Sequence, residues 1–239
     1  KVEILIADSE DESALDSSTS RARVILSTTG PFHRYGSKLV ASCVKNHAHY
    51  VDITGENFWV KNLIEKHHAE ASAKGIRIIP SCGFDSIPSD LGTFFSAQAI
   101  GKPIKRIESF HSYKGGASGG TLETMFSMGE LDLGDDLTDP FLLNPKDSYS
   151  NEQKQLSSDR VGIARKPEIS AWSGPFIMAT ANTRVVRRTE ALLALRQESY
   201  GADFTYQEHA YHKSWFSAAR SLILTGISVL ILLSPLKKL

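Results

Sequence analysis

Three short apolar runs rich in β-branched residues constrain the first part of this chain: ARVILST (22–28), HYVDIT (49–54) and IRIIPSC (76–82). Runs of this length and composition read as strands, the first and third as strands buried in a sheet. The segments between them have helical spacing. In GSKLVASCVKNH, Leu39, Val40, Cys43 and Val44 share one face. In ENFWVKNLIEKHHAEASAK, Phe58, Leu63 and His67 lean one way and Gly75 follows as a C-cap. KVEILIA is expected to form a further strand ending near Asp8, and DSEDESALDSSTS a short helix around Ala14 and Leu15. IPSDLGTFFSAQAI continues the alternation with another helix. Strand and helix alternating at short spacing imply parallel strands joined by crossover helices. Residues 1–101 therefore read as part of a doubly wound α/β domain.

The pattern changes after Pro103. KRIESFHSY alternates as a strand, KGGASGGT is a glycine-rich loop, and LETMFSMGEL has helical spacing. Residues 132–170 are polar, with scattered Pro and Asp, and read as a long loop or excursion. FIMATANTRVVRR and DFTYQEHAYHK read as strands around a helical TEALLAL. A helix from Trp215 to Leu233 closes the pattern. Residues 102–239 are thus expected to form an α+β domain for substrate binding or dimerisation, and a homodimer fits that reading.

Composition narrows the function classes. The chain of 239 residues carries 27 basic and 27 acidic side chains, so its formal net charge is zero. That balance gives nucleic acid no basic surface to bind. Cys43 and Cys82 form neither a CxxC pair nor a zinc pattern, which points to a reducing compartment. The sequence shows no signal peptide, and a cytoplasmic or peripheral-membrane location is expected rather than secretion. The histidine pairs His47/His49, His67/His68 and His209/His212 lack a third ligand nearby and read as solvated or packed. The apolar run 222–233 is short of the roughly 20 residues of a membrane span. It reads first as a buried core helix, then as an interfacial membrane helix, and last as a span.

Three segments carry candidate chemistry. In STTGPFHRYG, Thr28, Thr29 and Gly30 stand at a strand end, where open parallel sheets bind ligands; an ordinary strand-to-helix turn is the equal alternative. KGGASGGT has Thr121 where a phosphate loop needs lysine, which disfavours nucleotide hydrolysis and leaves a substrate-facing loop or a tight turn. SCGFDSIPSDLG (81–92) offers Cys82, Asp85 and Asp90. No histidine lies near Cys82 in sequence to activate it, so it reads as packed at a strand end. Asp85 either lines a site or caps the helix that Pro88 starts.

These segments together resemble the saccharopine dehydrogenase-like oxidoreductase family, in the branch of the bacterial trans-acting enoyl reductases and the lipid-associated eukaryotic members. The resemblance rests on STTGPFHRYG (27–36), HYVDITGE (49–56), IIPSCGFDSIPSDLG (78–92), GGASGGT (115–121) and FIMATANTRVVRRTEALL (176–193), in the family's order. It implies an N-terminal Rossmann domain that binds NAD(P), an α+β domain packed on it, and hydride transfer to or from a substrate carbon. KVEILIAD would correspond to the family's third strand, so the first βαβ unit and its GxxGxxG turn are expected to lie outside this sequence. Residue by residue, the resemblance sets Asp8 near the adenine. Thr29, Gly30, Pro31, Phe32 and Tyr35 follow along the cofactor, with Gly55 at the next strand end. Cys82, Gly83, Phe84 and Asp85 lie near the nicotinamide, and Lys114, Gly116 and Ser118 face the substrate. The choice between NAD and NADP and the catalytic residue stay open. An apolar or lipid substrate is expected; a dicarboxylic one would need Arg184, Arg187 and Arg188. The alternative is a non-catalytic protein of a membrane or lipid-droplet surface that retains the fold.

Overall fold

The computed structural model describes residues 2–112 and 119–233. It divides into two compact units, Lys1–Asp85 and Ser86–Leu239.

The first unit is a three-stranded parallel sheet, β1 (Val24–Ser27), β2 (His49–Asp52) and β3 (Ile78–Ile79), in the order β1-β2-β3. Helices α1 (Glu12–Thr19), α2 (Phe32–Lys45) and α3 (Asn57–Ala73) connect or flank the strands. A sheet that grows in one direction through right-handed crossovers puts its helices on one face. That face holds the core of Val40, Cys43, Val44, Tyr50, Phe58, Trp59 and Leu63. Gly36 permits the close approach of α3 to α2: a Cβ there would stand 2.6 Å from the Trp59 ring. The Trp59 indole N–H donates to Ser37 Oγ at 2.9 Å and its ring leans on Phe32. Asp16 of α1 accepts from Ser42 at 2.5 Å and from Asn46 at 3.1 Å, which ties α1 to the end of α2.

The opposite face corrects two sequence expectations. Neither ARVILST nor IRIIPSC is a fully buried strand: Val24 is 52% and Leu26 68% exposed, and Ile79 is exposed as well. Among the described residues of this unit no helix covers that side. Residues 2–7 are not a strand either. They pair with no strand of the sheet, and Val2, Ile4 and Ile6 are exposed.

The second unit joins helices to a four-stranded mixed sheet. Its strands are β4 (Arg106–His111), β5 (Ala164–Lys166), β6 (Ala171–Gly174) and β7 (Thr205–His212), in the order β4-β7-β6-β5. β4 and β7 are parallel; the other pairs are antiparallel. Central β7 is buried from Thr205 to Ala210. Around the sheet lie α4 (Ile87–Ile100), α5 (Gly119–Met128), α6 (Asn151–Leu156), α7 (Ala179–Ala194) and α8 (Trp215–Leu233). Val186, Tyr200, Phe204 and Tyr206 form a core with Phe94, Ile104, Ile107 and Leu193 around them.

Several expectations change here. FIMATANTRVVRR is not a strand but leads into α7, continuous with TEALLAL, and Ala181, Val186 and Ala191 of that helix are all buried. Residues 132–170 contain α6, which a Ser150–Gln153 capping box starts, and the edge strand β5. Three arginines of α7 pin that segment. Arg184 makes a two-pronged ion pair with Asp159 (2.5 and 2.8 Å), Arg187 donates to Pro140 O and Tyr206 O, and Arg188 donates to Leu143 O. Burial pushes the Arg187 guanidinium down to about 9. The apolar C-terminal run is not a buried core helix: α8 packs on β6 and β7 through a face that buries Ala218, and exposes Phe216, Ile223, Ile227 and Leu230. Among the described residues no helix is long and apolar enough to cross a membrane.

Between α4 and α7 lies a carboxyl group that burial dominates. Asp90 accepts from Thr189 at 3.0 Å through Oδ2, while its buried Oδ1 has no hydrogen bond. Burial pushes Asp90 up to about 6 from an ordinary 3.8. The folded chain therefore keeps this proton over a pH range in which the unfolded chain releases it. Its contribution to stability is full below the unfolded value and is lost as pH climbs through the folded one. Asp90→Asn should raise the unfolding free energy at pH 7 by roughly 1–3 kcal/mol, and lose that advantage near pH 4. Urea titrations at the two pH values measure this; an equal loss of stability at both would overturn it.

Candidate functional site

The parallel register brings the carboxyl ends of the first unit's strands level: Ser27 lies beside Asp52, and Val51 beside Ile79. The turns that follow supply Thr28, Thr29 and Gly30 after β1, Ile53 to Gly55 after β2, and Ser81 to Gly83 after β3. This is the edge of an open parallel sheet where ligands bind.

Two buried carboxylates hold that edge in shape. Asp52 Oδ1 accepts from the backbone N–H of Thr54 at 3.0 Å and of Ser81 at 2.9 Å. Burial raises the Asp52 carboxyl above its ordinary range, against the pull of those N–H donors. Ser81, in the left-handed region at φ 60°, donates its hydroxyl to Thr54 O at 2.8 Å. Cys82 N–H donates to Asp52 O at 2.7 Å. Four residues on from Asp52, Glu56 is 0% exposed. Its oxygens accept from Phe32 N–H and His33 N–H, both at 2.8 Å, and His33 Nδ1 lies 2.5 Å away. The Glu56 N–H donates to Thr54 Oγ1 at 3.1 Å. A single segment, DITGE (52–56), thus fixes all three turns.

Thr29, Gly30, Gly55, Cys82 and Gly83 come together at this edge. Thr29 and Gly55 are exposed, and Gly30, Cys82 and Gly83 half-buried. Pro31 and Phe32 are buried beneath it, and Tyr35 points outward on α2. Phe84 is 90% exposed, and Asp85 is exposed at the end of the unit. Asp85 does not cap α4: Ser86 holds the N-cap position, and its hydroxyl donates instead to Asn182. Asp8 lies in a turn ahead of α1, where Oδ1 accepts from Glu10 N–H at 2.9 Å. Lys114, Gly116 and Ser118 lie outside the described residues. Cys82 and Cys43 are free thiols; Cys82 donates to Ile79 O at 3.3 Å, and burial pushes Cys43 up to about 12.

Sequence reasoning missed Glu56, His33 and Ser81. The signal was present in DITGE, where Asp52, Thr54 and Glu56 are buried and Ile53 and Gly55 exposed. Acidic side chains alternating with outward residues just past a strand mark polar groups that must find donors inside.

The packing of the edge limits what can approach it. A helix N-terminus ordinarily attracts phosphate. At α2 a protein carboxylate already takes the first N–H groups, so a pyrophosphate does not fit there. The glycines suit a flat ring lying close to backbone. A Cβ on Gly83 would stand 3.0 Å from the Ile53 side chain, so this turn is packed as tightly as glycine allows.

The chain is similar to a Mycobacterium tuberculosis protein provisionally named a trans-acting enoyl reductase, at 38% identity over 86% of this chain and 51% of that protein. It is likewise similar to the trans-acting enoyl reductases of Mycobacterium leprae (35% identity, 94% of this chain, 56% of the relative) and Mycobacterium ulcerans (33%, 93% and 56%). The chain thus spans little more than half the length of the relatives it matches. No protein-family profile and no solved structure matches it.

Glu56 is expected to carry much of the order of this edge. Glu56→Ala strands three donors around a buried site, and should lower stability by roughly 2–4 kcal/mol. Hydrogen exchange at the Phe32 and His33 amides should accelerate well beyond exchange across α3. Unchanged protection of those two amides would show that the clamp is idle.

Proposed function

We propose that this chain is part of a nicotinamide-dependent oxidoreductase that reduces a carbon–carbon double bond conjugated to an acyl carbonyl. The observation that carries the reading is the similarity, over most of the chain, to proteins named for enoyl reduction, in a chain with a parallel α/β sheet. The assignment to the saccharopine dehydrogenase-like family is part of this proposal. Its support is the ordered set of segments from STTGPFHRYG to FIMATANTRVVRR.

When bound, a reduced nicotinamide supplies hydride to the double bond. The protein's share is positioning. Thr28, Thr29, Gly30, Gly55, Cys82 and Gly83 would hold the ring-bearing part of the cofactor, on turns that Asp52 and Glu56 keep fixed. An apolar acyl substrate agrees with the use made of the arginines. Arg184, Arg187 and Arg188, the candidates for a dicarboxylic substrate, direct donors at Asp159 and at backbone carbonyls.

The test uses the full-length protein. Titration of NADPH and of NADH, followed by nicotinamide fluorescence, should give saturable binding of at least one. Addition of a short enoyl thioester should then consume the reduced cofactor. Gly83→Val should weaken dinucleotide binding by about tenfold, the equivalent of roughly 1.4 kcal/mol, with little change in circular dichroism. Absence of binding by both dinucleotides would sink the proposal.

A further inference from the structure

One helix of the second unit carries its side chains in the inverse of the usual order. A surface helix ordinarily turns its large apolar residues to the core and its small and polar ones to water. α8 packs on β6 and β7, with a further contact to α5. The side it turns inward is mostly small or hydroxylated: Ala218 is fully buried, and Ser221, Leu222 and Thr225 are half-buried. Residues three and four apart share a side of a helix, and on the opposite side stand Phe216, Ile223, Ile227 and Leu230. Phe216 is 78%, Ile223 61% and Leu230 68% exposed. Arg220 lies in the same row and is exposed, as is Trp215 in the first turn. A single exposed apolar residue is ordinary, but a continuous row of them marks a surface that meets a membrane or a partner.

The charge along this stretch is one-sided. Residues 209–239 hold four bases, Lys213, Arg220, Lys237 and Lys238, and no Asp or Glu. The chain as a whole is neutral, so these bases are segregated from the acids. α5, the helix beside α8, carries a single acid, Glu123. Arg220 decides between the surfaces that could cover the row. A second copy of α8 would bury that guanidinium against another like it, and the helix has no acid to answer either. A phospholipid leaflet offers phosphate to the guanidinium and an acyl boundary to its apolar neighbours, and the long arginine stem reaches from one to the other. The helix has 19 residues and is not apolar enough to cross a membrane, so it suits a leaflet only when it lies in the plane. Trp215 and Phe216 are aromatic side chains of the kind that favours that boundary.

We propose that α8 docks flat on an anionic phospholipid leaflet through Phe216, Ile223, Ile227 and Leu230, with Arg220 held by headgroup phosphate. The surface lies wholly within the second unit and draws on nothing in the reductase reading. Two forces add. Each apolar side chain of the row leaves water on docking, and each base gains from the negative potential of the leaflet. The second force is screened by salt and the first is not, so the attachment has a salt-sensitive and a salt-resistant part. The inward side, with Ala218 against the sheet, keeps the helix in place while its outer row is used.

Flotation of the full-length protein with lipid vesicles tests this, with no dinucleotide or substrate present. The wild type should rise with phosphatidylcholine vesicles that contain phosphatidylserine, and much less with phosphatidylcholine alone. Phe216→Ser combined with Ile223→Ser should lower the partition coefficient by about 100-fold, and Arg220→Gln should lower it by about fivefold. All three positions are exposed, so circular dichroism and thermal unfolding of these variants in solution should match the wild type. A wild type that floats with neither vesicle overturns the proposal. Equal flotation with both vesicles overturns the choice of an anionic surface. Flotation of the double variant equal to that of the wild type overturns the assignment to α8. A wild type that stays with the solvent as a dimer, and that the double variant turns into a monomer, overturns the lipid and gives the row to a second copy.

Discussion

The buried acid pair of the DITGE segment is the constraint on which the first unit's candidate site depends. A parallel sheet delivers its strand ends to one edge but does not fix the turns beyond them. Here Asp52 and Glu56 do so with backbone donors from two other turns. A charged acceptor binds N–H groups about twice as strongly as a neutral one, and a buried one has no water to compete for them. The desolvation cost is offset only while every donor stays in place. The same clamp determines what the edge can bind: with the α2 N-terminus already holding a carboxylate, a second anion has no donors there.

Strands β1, β2 and β3 and helices α2 and α3 were legible because each depends on local signals. β-branched runs, helical spacing and the Gly75 stop act over a few residues, and Gly75 adopts φ 66° as a C-cap requires. Burial was less legible, because it depends on what covers a face. Val24 and Leu26 carry the composition of a covered strand and lie exposed. The reading of FIMATANTRVVRR as a strand failed for a related reason. Thr180, Thr183, Val185 and Val186 favour strands by local propensity, yet position 186 meets the core formed by Tyr200, Phe204 and Tyr206 only from a helix. Tertiary packing outweighs a propensity difference of a few tenths of a kcal/mol.

The arginines of α7 show how charge misleads when read without contacts. Arg184, Arg187 and Arg188 look like an anion site in the sequence. In the fold they convert a polar excursion into ordered structure, by donating to Asp159, Pro140, Tyr206 and Leu143. A guanidinium suits this because its planar donors can serve several carbonyls at once. The residues between α5 and β6 read as a long polar loop by composition alone, and α7 supplies partners for them.

The two units satisfy buried polar groups in different ways, and the difference bears on chemistry. In the first, Asp52 and Glu56 bind mostly backbone, which makes them fixed parts of the scaffold. In the second, Glu208 binds side chains, Tyr206 and Asn182, and stands near the half-exposed ring of His111. Backbone donors cannot move a proton usefully, since their N–H bonds do not ionise. Hydroxyl, carboxyl and imidazole groups can. SCGFDSIPSDLG, with its cysteine and aspartates, divides between the two units: Cys82 serves a turn, while Ser86 and Ser89 serve the Asn182–Glu208 network.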